Sequence, residues 1–282
     1  MSDSAVTSDS EAFLRHFHAH SPGATTRTFA SGRDSQGHSS YARLAQSVAQ
    51  TDGHATIVDI ACGDGYLLEM LHERLPNARL IGIDMSAEEL HAARARLGPD
   101  IDLRCERAQA TSVATGSVDC VVSHLALMLM QPIEAVIGQL HRILRPAGLL
   151  AAVVGSDVRL PGALEEFFAI ARGLASAPTA VLGDRRVRTA DGLRELFAAT
   201  GTWRELAIDT FEINLDGPWP RVEAILFDTY VPNLLEPAFR EPLRRATAQR
   251  IPALADADGI VPCRIGLRLM RFQRLPVTDQ PF

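Results

Sequence analysis

Residues 58–67, "VDIACGDGYL", are the part of this chain whose residue types and spacing could most readily do chemistry. Apolar residues lead into Gly63 and Gly65, and helical spacing resumes after them, which is typical of a buried strand, a tight turn and a helix. Such a turn presents backbone N–H groups at the start of a helix, where nucleotide-type cofactors are often bound. The identity of the cofactor depends on the other residues of the turn.

The acidic residues beside this turn argue against a dinucleotide. A dinucleotide-binding turn has the pattern G-x-G-x-x-G, and Leu68 occupies the position of its third glycine. The carboxylates of Asp59 and Asp64 would oppose the charge of a pyrophosphate but suit a ligand with positive charge. S-adenosylmethionine has a sulfonium, an ammonium and no phosphate, so it fits the turn better than a dinucleotide does.

Four segments resemble, in order, the motifs of class I S-adenosylmethionine-dependent methyltransferases. "VDIACGDG" resembles the first motif, and "LIGIDMS" resembles the second, in which an acidic residue ends the second strand. "SVDCVVSHLALMLM" resembles the fourth-strand segment, and "LHRILRPAGLL" resembles the turn before the fifth strand, with Ala147 where the family has glycine. The resemblance covers about residues 55–155. It implies a Rossmann-like α/β fold with a doubly wound, seven-stranded, mostly parallel sheet.

The hydrophobic pattern independently predicts alternating strands and helices, and hence a mainly parallel sheet. Apolar runs predict strands at about 55–60, 78–84, 101–105, 117–123, 148–155, 203–215 and 260–273. "SAEEL" at 86–90 predicts a helix start with a capping box, in which Ser86 is the N-cap and Glu89 follows three residues later.

The same pattern predicts the domain organisation. Residues 1–50 would form an N-terminal tail and a helical lid, with the first ten residues disordered, and residues 51–282 would form the methyltransferase domain. The segment at about 216–252 would be a helical cap inserted between the last two strands. Its aromatic residues are Trp219, Phe227, Tyr230 and Phe239. They could line a site for a small organic acceptor, pack the cap onto the core, or form the contact of a homodimer.

The resemblance also implies which residues hold the methionine and ribose ends of S-adenosylmethionine. Asp59 and the backbone of Ala61, Gly63 and Gly65 would surround the methionine end. Asp84 would bind both ribose hydroxyls, although a carboxylate there could instead cap the helix that begins near Ser86.

At the adenine end, Met85 would pack on the ring, or it could simply belong to the core. Gln109 and Ala110 stand where many relatives have Asp-Ala, and the amide oxygen of Gln109 could accept a hydrogen bond from the adenine amino group. Gln109 could also be a solvated loop residue. Ser123, at the end of the fourth strand, completes the predicted cofactor-binding set.

The predicted catalytic residues are His124 and Tyr41. Methyl transfer from a sulfonium needs proximity, orientation and sometimes a base. His124 would lie where the methyl group faces the acceptor and could act as that base, or it could only line the pocket. Tyr41 would close the site from the N-terminal segment, or it could anchor its own helix to the core.

Composition narrows the class of partner. The chain has 28 basic and 34 acidic residues, a formal charge of −6, which argues against nucleic acid. The four cysteines lack zinc-site spacing, and His16 and His20 share a helix face without a third ligand, so no metal is predicted. No basic leader precedes an apolar segment, and no apolar run reaches the roughly 18 residues of a membrane span. We therefore expect a cytoplasmic enzyme that acts on a small molecule, such as a metabolite or natural-product intermediate.

Other functions stay open at this level. The same fold could use S-adenosylmethionine for non-methyl chemistry, such as an intramolecular cyclisation that releases methylthioadenosine. The chain could also be a non-catalytic, cofactor-binding partner subunit. A nicotinamide-dependent dehydrogenase is a more distant alternative.

Overall fold

The computed structural model describes residues 3–48, 55–174 and 182–276. Within these ranges the strands are Thr56–Ile60 (β1), Arg79–Asp84 (β2), Asp102–Cys105 (β3), Val118–His124 (β4), Leu144–Gly155 (β5), Trp203–Asn214 (β6) and Arg264–Arg274 (β7). They form one sheet in the order β3-β2-β1-β4-β5-β7-β6. β7 is antiparallel to β5 and β6, and the pairs from β3 to β5 are parallel. The predicted doubly wound, mostly parallel, seven-stranded sheet is confirmed.

Helices cover this sheet. They are Asp3–His20 (α1), Ala24–Phe29 (α2), Ser40–Ser47 (α3), Tyr66–Arg74 (α4), Ala87–Leu97 (α5), Ile133–Ile143 (α6), Ala163–Leu174 (α7), Ala190–Ala198 (α8), Trp219–Phe227 (α9), Val231–Leu234 (α10) and Pro237–Arg250 (α11). α6 illustrates why they form, because its buried residues recur at helical spacing on one face. They are Ile133, Val136, Ile137, Leu140 and Ile143. No helix in the described ranges is both long and apolar enough to cross a membrane.

The core lies between the sheet and its helices. Ile57, Val58 and Ile60 of β1 are fully buried, as are Val121 and Val122 of β4. Nearly continuous burial along central strands is expected for a parallel sheet that is covered on both faces. Because the chain order changes direction between β1 and β4, a crevice opens at the carboxyl ends of these strands.

The N-terminal segment differs from its prediction. α1 begins at Asp3, so the predicted disordered tail is wrong for residues 3–10, while residues 1–2 lie outside the described ranges. Leu14 and Phe17 are buried on one face of α1, and that packing stabilises a helix that extends upstream of them. The predicted boundary near residue 50 also lies outside the described residues. The helical insertion near the C-terminus consists of α9, α10 and α11.

The turn after β1 is held by unusual backbone conformations. Ala61, Gly63 and Gly65 have φ of 58°, 54° and 78°, in the left-handed region. A Cβ at Gly65 would lie 2.7 Å from Leu97 Cδ1 and 3.1 Å from Ala93 Cβ, so glycine lets the turn pack directly on α5. This packing sets the turn against the carboxyl end of β2, where Asp84 lies.

Candidate functional site

A cavity lies at the carboxyl ends of β1, β2 and β4. Its floor includes Asp59, the 61–64 turn, Asp84 and His124, and residues of α1, α2 and α3 line it from the N-terminal side. Tyr230, between α9 and α10, also lines it. The cavity is therefore bounded both by the sheet edge and by the two peripheral helical segments.

Asp84 joins the glycine turn to the start of α5. Its carboxylate accepts hydrogen bonds from the backbone N–H of Gly63 and of Ser86, each at 2.9 Å. Burial raises the pKa of Asp84 above its ordinary value, although these two N–H donors act in the opposite direction. The carboxylate lines the cavity with lone pairs left to accept further hydrogen bonds, which suits ribose hydroxyls.

Asp59 is a buried carboxyl with a missing partner. Its Oδ1 has no hydrogen-bond partner within the described part of the chain, although the residue lines the cavity. Burial, together with the nearby charge of Asp84, raises the pKa of Asp59 well above its ordinary value. An unpaired buried carboxyl is costly unless a cation or donor meets it. This observation fits a bound cation such as the methionine end of S-adenosylmethionine.

Asp64 does not contribute in the way that the sequence suggested. Its carboxylate accepts hydrogen bonds from the hydroxyl of Thr26 at 2.6 Å and from the guanidinium of Arg96 at 2.7 Å. Arg96 neutralises this charge and also binds the Asp64 carbonyl at 2.9 Å. Of the two acids near the turn, Asp59 is therefore the one left to face a positively charged ligand.

Glu89 is a cavity residue that the sequence reasoning missed. One of the two hydrogen bonds of the predicted capping box is present: the hydroxyl of Ser86 accepts from the backbone N–H of Glu89. The Glu89 carboxylate turns away, toward His18 Nδ1 at 2.7 Å and the N–H of Gly23 at 2.9 Å. The ring Nε2 of His18 lies 2.9 Å from the hydroxyl of Tyr230. An acid in the first turn after the second motif was the available signal, but it was interpreted as a cap.

At the predicted adenine end, Met85, Ala108 and Gln109 line the cavity. Gln109 donates through Nε2 to the backbone oxygen of Gln131 at 2.8 Å, which leaves its amide oxygen as an acceptor. Ala110, by contrast, is exposed and absent from the cavity wall, so the structure does not place this predicted residue at the cavity. The 3-10 turn Ala108–Ala110 points its last side chain outward, and Ala108 occupies the wall instead.

Ser123 is a second predicted residue that the structure does not place at the cavity wall. It is buried and its hydroxyl donates to the backbone oxygen of Ile60 at 2.9 Å, away from the cavity wall. Successive side chains of a strand point to opposite faces, so β4 can present His124 or Ser123 to the cavity but not both. The side chain of Ser123 therefore links β4 to β1.

His124 and Tyr41 form a stacked pair. Their ring centroids are 3.6 Å apart with an interplanar angle of 20°, and Tyr66 meets Tyr41 edge-on. His124 Nε2 lies 2.9 Å from the hydroxyl of Ser40, and Nδ1 has no partner among the described residues. Burial lowers the pKa of His124 to about 3 and raises the pKa of Tyr41 far above its ordinary value. Both residues line the cavity, as neutral groups.

The remaining candidates are the histidines of α1 and the aromatic residues of the helical insertion. The rings of His16 and His20 are 4.2 Å apart, and His20 Nδ1 contacts the backbone oxygen of His16. Across the described ranges, no three His, Cys, Asp or Glu residues cluster as a metal site. Of the insertion's aromatic residues, Tyr230 lines the cavity, whereas Phe227 packs edge-on against Phe167 of α7.

Part of the chain is similar in sequence to known methyltransferases. Residues 57–148 match the family described as "Methyltransferase domain". A trans-aconitate 2-methyltransferase of Azoarcus sp. (strain BH72) is 36% identical over 100 residues, 36% of this chain and 39% of the relative. One of Variovorax paradoxus (strain S110) is 26% identical over 244 residues, 80% of this chain and 86% of the relative. In four of the curated relatives the match spans 38–47% of the relative's own length.

A solved structure shares the fold at low sequence identity. BH2331 of Bacillus halodurans C-125, which is described as a methyltransferase, has a TM-score of 0.59 and 14% identity. The match covers 84% of this chain and 99% of that protein. Since the two sequences differ so much, this comparison supports the architecture alone. Which ligands the chain binds has to be argued from the residues of the cavity.

Proposed function

We propose that this chain, which contains a class I S-adenosylmethionine-dependent methyltransferase domain, transfers a methyl group to a small-molecule acceptor by in-line displacement. The observation that carries the proposal is the buried, unpaired carboxyl of Asp59, beside Asp84, at the wall of one cavity. When bound there, the cofactor would supply an activated methyl group, and the protein would supply binding and orientation.

Each part of the cavity has a proposed task. Asp59 would balance positive charge at the methionine end, and Asp84, held by the N–H groups of Gly63 and Ser86, would bind the ribose hydroxyls. Met85 and Gln109 would contact the adenine. The walls formed by α1 and α3 would exclude water from the reacting methyl group. The relatives named above are trans-aconitate methyltransferases, which supports a small organic acceptor. The proposal places this reaction in the cytoplasm, on a metabolite or natural-product intermediate.

Calorimetry tests the role of Asp59. Burial and the nearby charge of Asp84 raise the pKa of this carboxyl and so favour its protonated form, whereas a cation bound beside it would favour the ionised form. We expect S-adenosylmethionine binding to release up to about one proton, seen as a binding heat that varies with the ionisation enthalpy of the buffer. Asp59→Asn should bind more weakly and without proton release. Equal proton release by wild type and Asp59→Asn would contradict the role given to Asp59.

Product analysis tests the reaction. The full chain, incubated with methyl-deuterated S-adenosylmethionine and a metabolite extract, should yield S-adenosylhomocysteine and a labelled metabolite in the mass spectrum. Methylthioadenosine as the product would instead favour the cyclisation alternative. Tight binding without turnover by the purified chain would favour a non-catalytic partner subunit.

A further inference from the structure

We propose that His124 donates a hydrogen bond through Nδ1 to the reacting carboxylate of the acceptor, and that this acceptor is a monocarboxylate with an apolar body. The inference rests on the methyl transfer proposed above and adds the class of acceptor. It follows from the hydrogen bonds of Ser40, His124, Thr26 and Tyr41 and from the charges at the cavity wall.

The contact between Ser40 and His124 assigns the ring proton. Ser40 is fully buried, and a buried hydroxyl must donate to some acceptor. Within the described ranges, His124 Nε2 at 2.9 Å is the hydrogen-bond partner of this hydroxyl. Ser40 therefore donates to Nε2, which is then the unprotonated nitrogen, and the proton of the neutral imidazole lies on Nδ1. Nδ1 is buried without a partner among these residues, and His124 lines the cavity, so Nδ1–H is the ring donor left for a ligand oxygen.

The orientation of this donor is fixed by packing. Tyr41 stacks on one face of the imidazole at 3.6 Å, and Phe29 meets the ring edge-on with centroids 6.4 Å apart. Rotation of the ring would break both the stacking and the hydrogen bond to Ser40. A donor held in this way loses little freedom when a ligand binds, which favours the bound state.

Tyr41 is also unable to accept a proton. The hydroxyl of Thr26 donates to Asp64 Oδ1 at 2.6 Å, so its contact of 3.4 Å with the Tyr41 hydroxyl has Tyr41 as the donor. The Tyr41 phenol thus donates its proton in a hydrogen bond to the Thr26 hydroxyl. Burial raises the pKa of this phenol far above neutrality, so no phenolate is present to act as a base.

Neither His124 nor Tyr41 can take a proton from the acceptor. Such a site suits a nucleophile that is already ionised at neutral pH and needs no base. The lone pair of His124 is occupied by Ser40, and its lowered pKa makes it a weak base. Alcohols and protonated amines would need a base, whereas a carboxylate is ionised at neutral pH. In the transfer, a carboxylate oxygen forms the C–O bond to the methyl carbon, and the C–S bond breaks with its electron pair passing to sulfur. The products are a methyl ester and a neutral thioether, and no proton moves.

The charges of the wall argue for a single carboxylate. Arg107 lines the cavity but is paired with Glu11, and His18 is bound to Glu89. A second carboxylate of the acceptor would meet no unpaired cationic side chain in the described wall, close to Asp59 and Asp84. The apolar residues of the wall include Leu14, Leu125, Ala126, Leu129 and Met130. The rest of the acceptor is therefore expected to be apolar.

Nitrogen NMR of the full chain with isotope-labelled histidine tests the donor directly, with the His124→Phe variant assigning the signal. We expect the Nδ1–H tautomer of His124 in the protein loaded with S-adenosylhomocysteine. Benzoate and octanoate should shift this signal, and trans-aconitate should not. The opposite tautomer, or no response to monocarboxylates, would overturn the proposal.

Turnover assays test the acceptor class. With S-adenosylmethionine and a panel of monocarboxylates, tricarboxylates, alcohols and amines, we expect methyl esters of monocarboxylates alone. His124→Phe should raise the acceptor KM about 10- to 100-fold while the Kd of S-adenosylmethionine stays within about twofold, and His124→Asn should restore part of the loss through its amide N–H. Methylation of alcohols, amines or trans-aconitate in preference would overturn the acceptor class and leave the methyl transfer standing. Failure to form S-adenosylhomocysteine with any acceptor, despite an Nδ1 response, would count against the proposed function instead.

Discussion

His18 Nδ1 lies 2.7 Å from Glu89 Oε1, so α1 is bound to a buried carboxylate of α5 at the cavity wall. Glu89 also accepts from the N–H of Gly23, and the other ring nitrogen of His18 contacts the hydroxyl of Tyr230. One carboxylate thereby joins the N-terminal segment, the domain core and the helical insertion. Because residues of all three segments line the cavity, the packing of α1 and the binding of a ligand in the cavity should stabilise each other.

Removal of this carboxylate should loosen α1. In Glu89→Ala two donors lose their charged acceptor, so we expect the free energy of unfolding to fall by about 2–3 kcal/mol. Backbone amides of residues 11–20 should exchange faster with deuterium than in wild type, and the Kd of S-adenosylmethionine should rise. Hydrogen exchange read by mass spectrometry and calorimetry measure these effects.

Two variants control for this result. Glu89→Gln keeps an oxygen for the N–H of Gly23, and its amide can donate to His18 Nδ1 once the ring proton moves to Nε2, facing the hydroxyl of Tyr230, so its exchange over residues 11–20 should remain close to that of wild type. Glu73→Ala removes an exposed acid of α4 and should leave both exchange and affinity unchanged. If Glu89→Ala leaves the exchange of α1 at the wild-type rate, α1 is held by other contacts.

The contrast between Asp84 and Glu89 explains how much of the site the sequence could predict. Asp84 can be predicted because it ends a short contiguous segment, "LIGIDMS", that resembles a family motif, and because the turn that it binds belongs to another such segment. The partners of Glu89 are 66 and 71 positions away, and Ser40 is 84 positions from His124. The hydrophobic periodicity of the sequence does not predict such contacts, because they depend on how the helices pack in the folded protein. The strands were predicted well for the opposite reason, because burial on both faces leaves continuous apolar runs.

Asp84 should contribute strongly to cofactor affinity. A charged hydrogen bond is worth about 1.5–3 kcal/mol, so Asp84→Ala should weaken S-adenosylmethionine binding by about 10- to 100-fold. The same change frees the N–H groups of Gly63 and Ser86, so Asp84→Asn, which retains one acceptor for them, separates the two effects. Calorimetric Kd values measure both variants. A Kd for Asp84→Ala within about twofold of wild type would show that the carboxylate only caps α5.

His124 should make the fold sensitive to acid. The folded protein keeps this histidine neutral, with a pKa of about 3, while the unfolded chain binds a proton near the ordinary value of 6.5. Between these values the unfolded state binds more protons, so stability should fall as the pH falls from about 6.5, by about 1 kcal/mol per pH unit from this residue. No loss from this residue is expected above that range.

Urea unfolding at pH 7, 6 and 5 measures this effect. His124→Gln should be less stable than wild type at pH 7, because the ring packs against Tyr41, and the difference should shrink toward pH 5. The exposed His91 offers a matched control for the loss of a histidine ring, since His91→Gln should change the stability at pH 7 by less than about 0.5 kcal/mol. A stability difference between wild type and His124→Gln that stays constant from pH 7 to 5 would contradict a buried, neutral imidazole.

Ala147 should carry strain that glycine relieves. Its φ is 64°, in the left-handed region, where an L-residue with a Cβ costs about 1–2 kcal/mol relative to glycine. Part of this gain is offset because glycine gives the unfolded chain more freedom, so we expect Ala147→Gly to stabilise the protein by about 0.5–1 kcal/mol. Ala199→Gly is the matched control: Ala199 is exposed, has a φ of −55° and should lose about 0.5–1 kcal/mol on the same substitution. Urea unfolding of both variants gives the comparison. Equal destabilisation by the two substitutions would mean that Ala147 adopts its backbone conformation without strain.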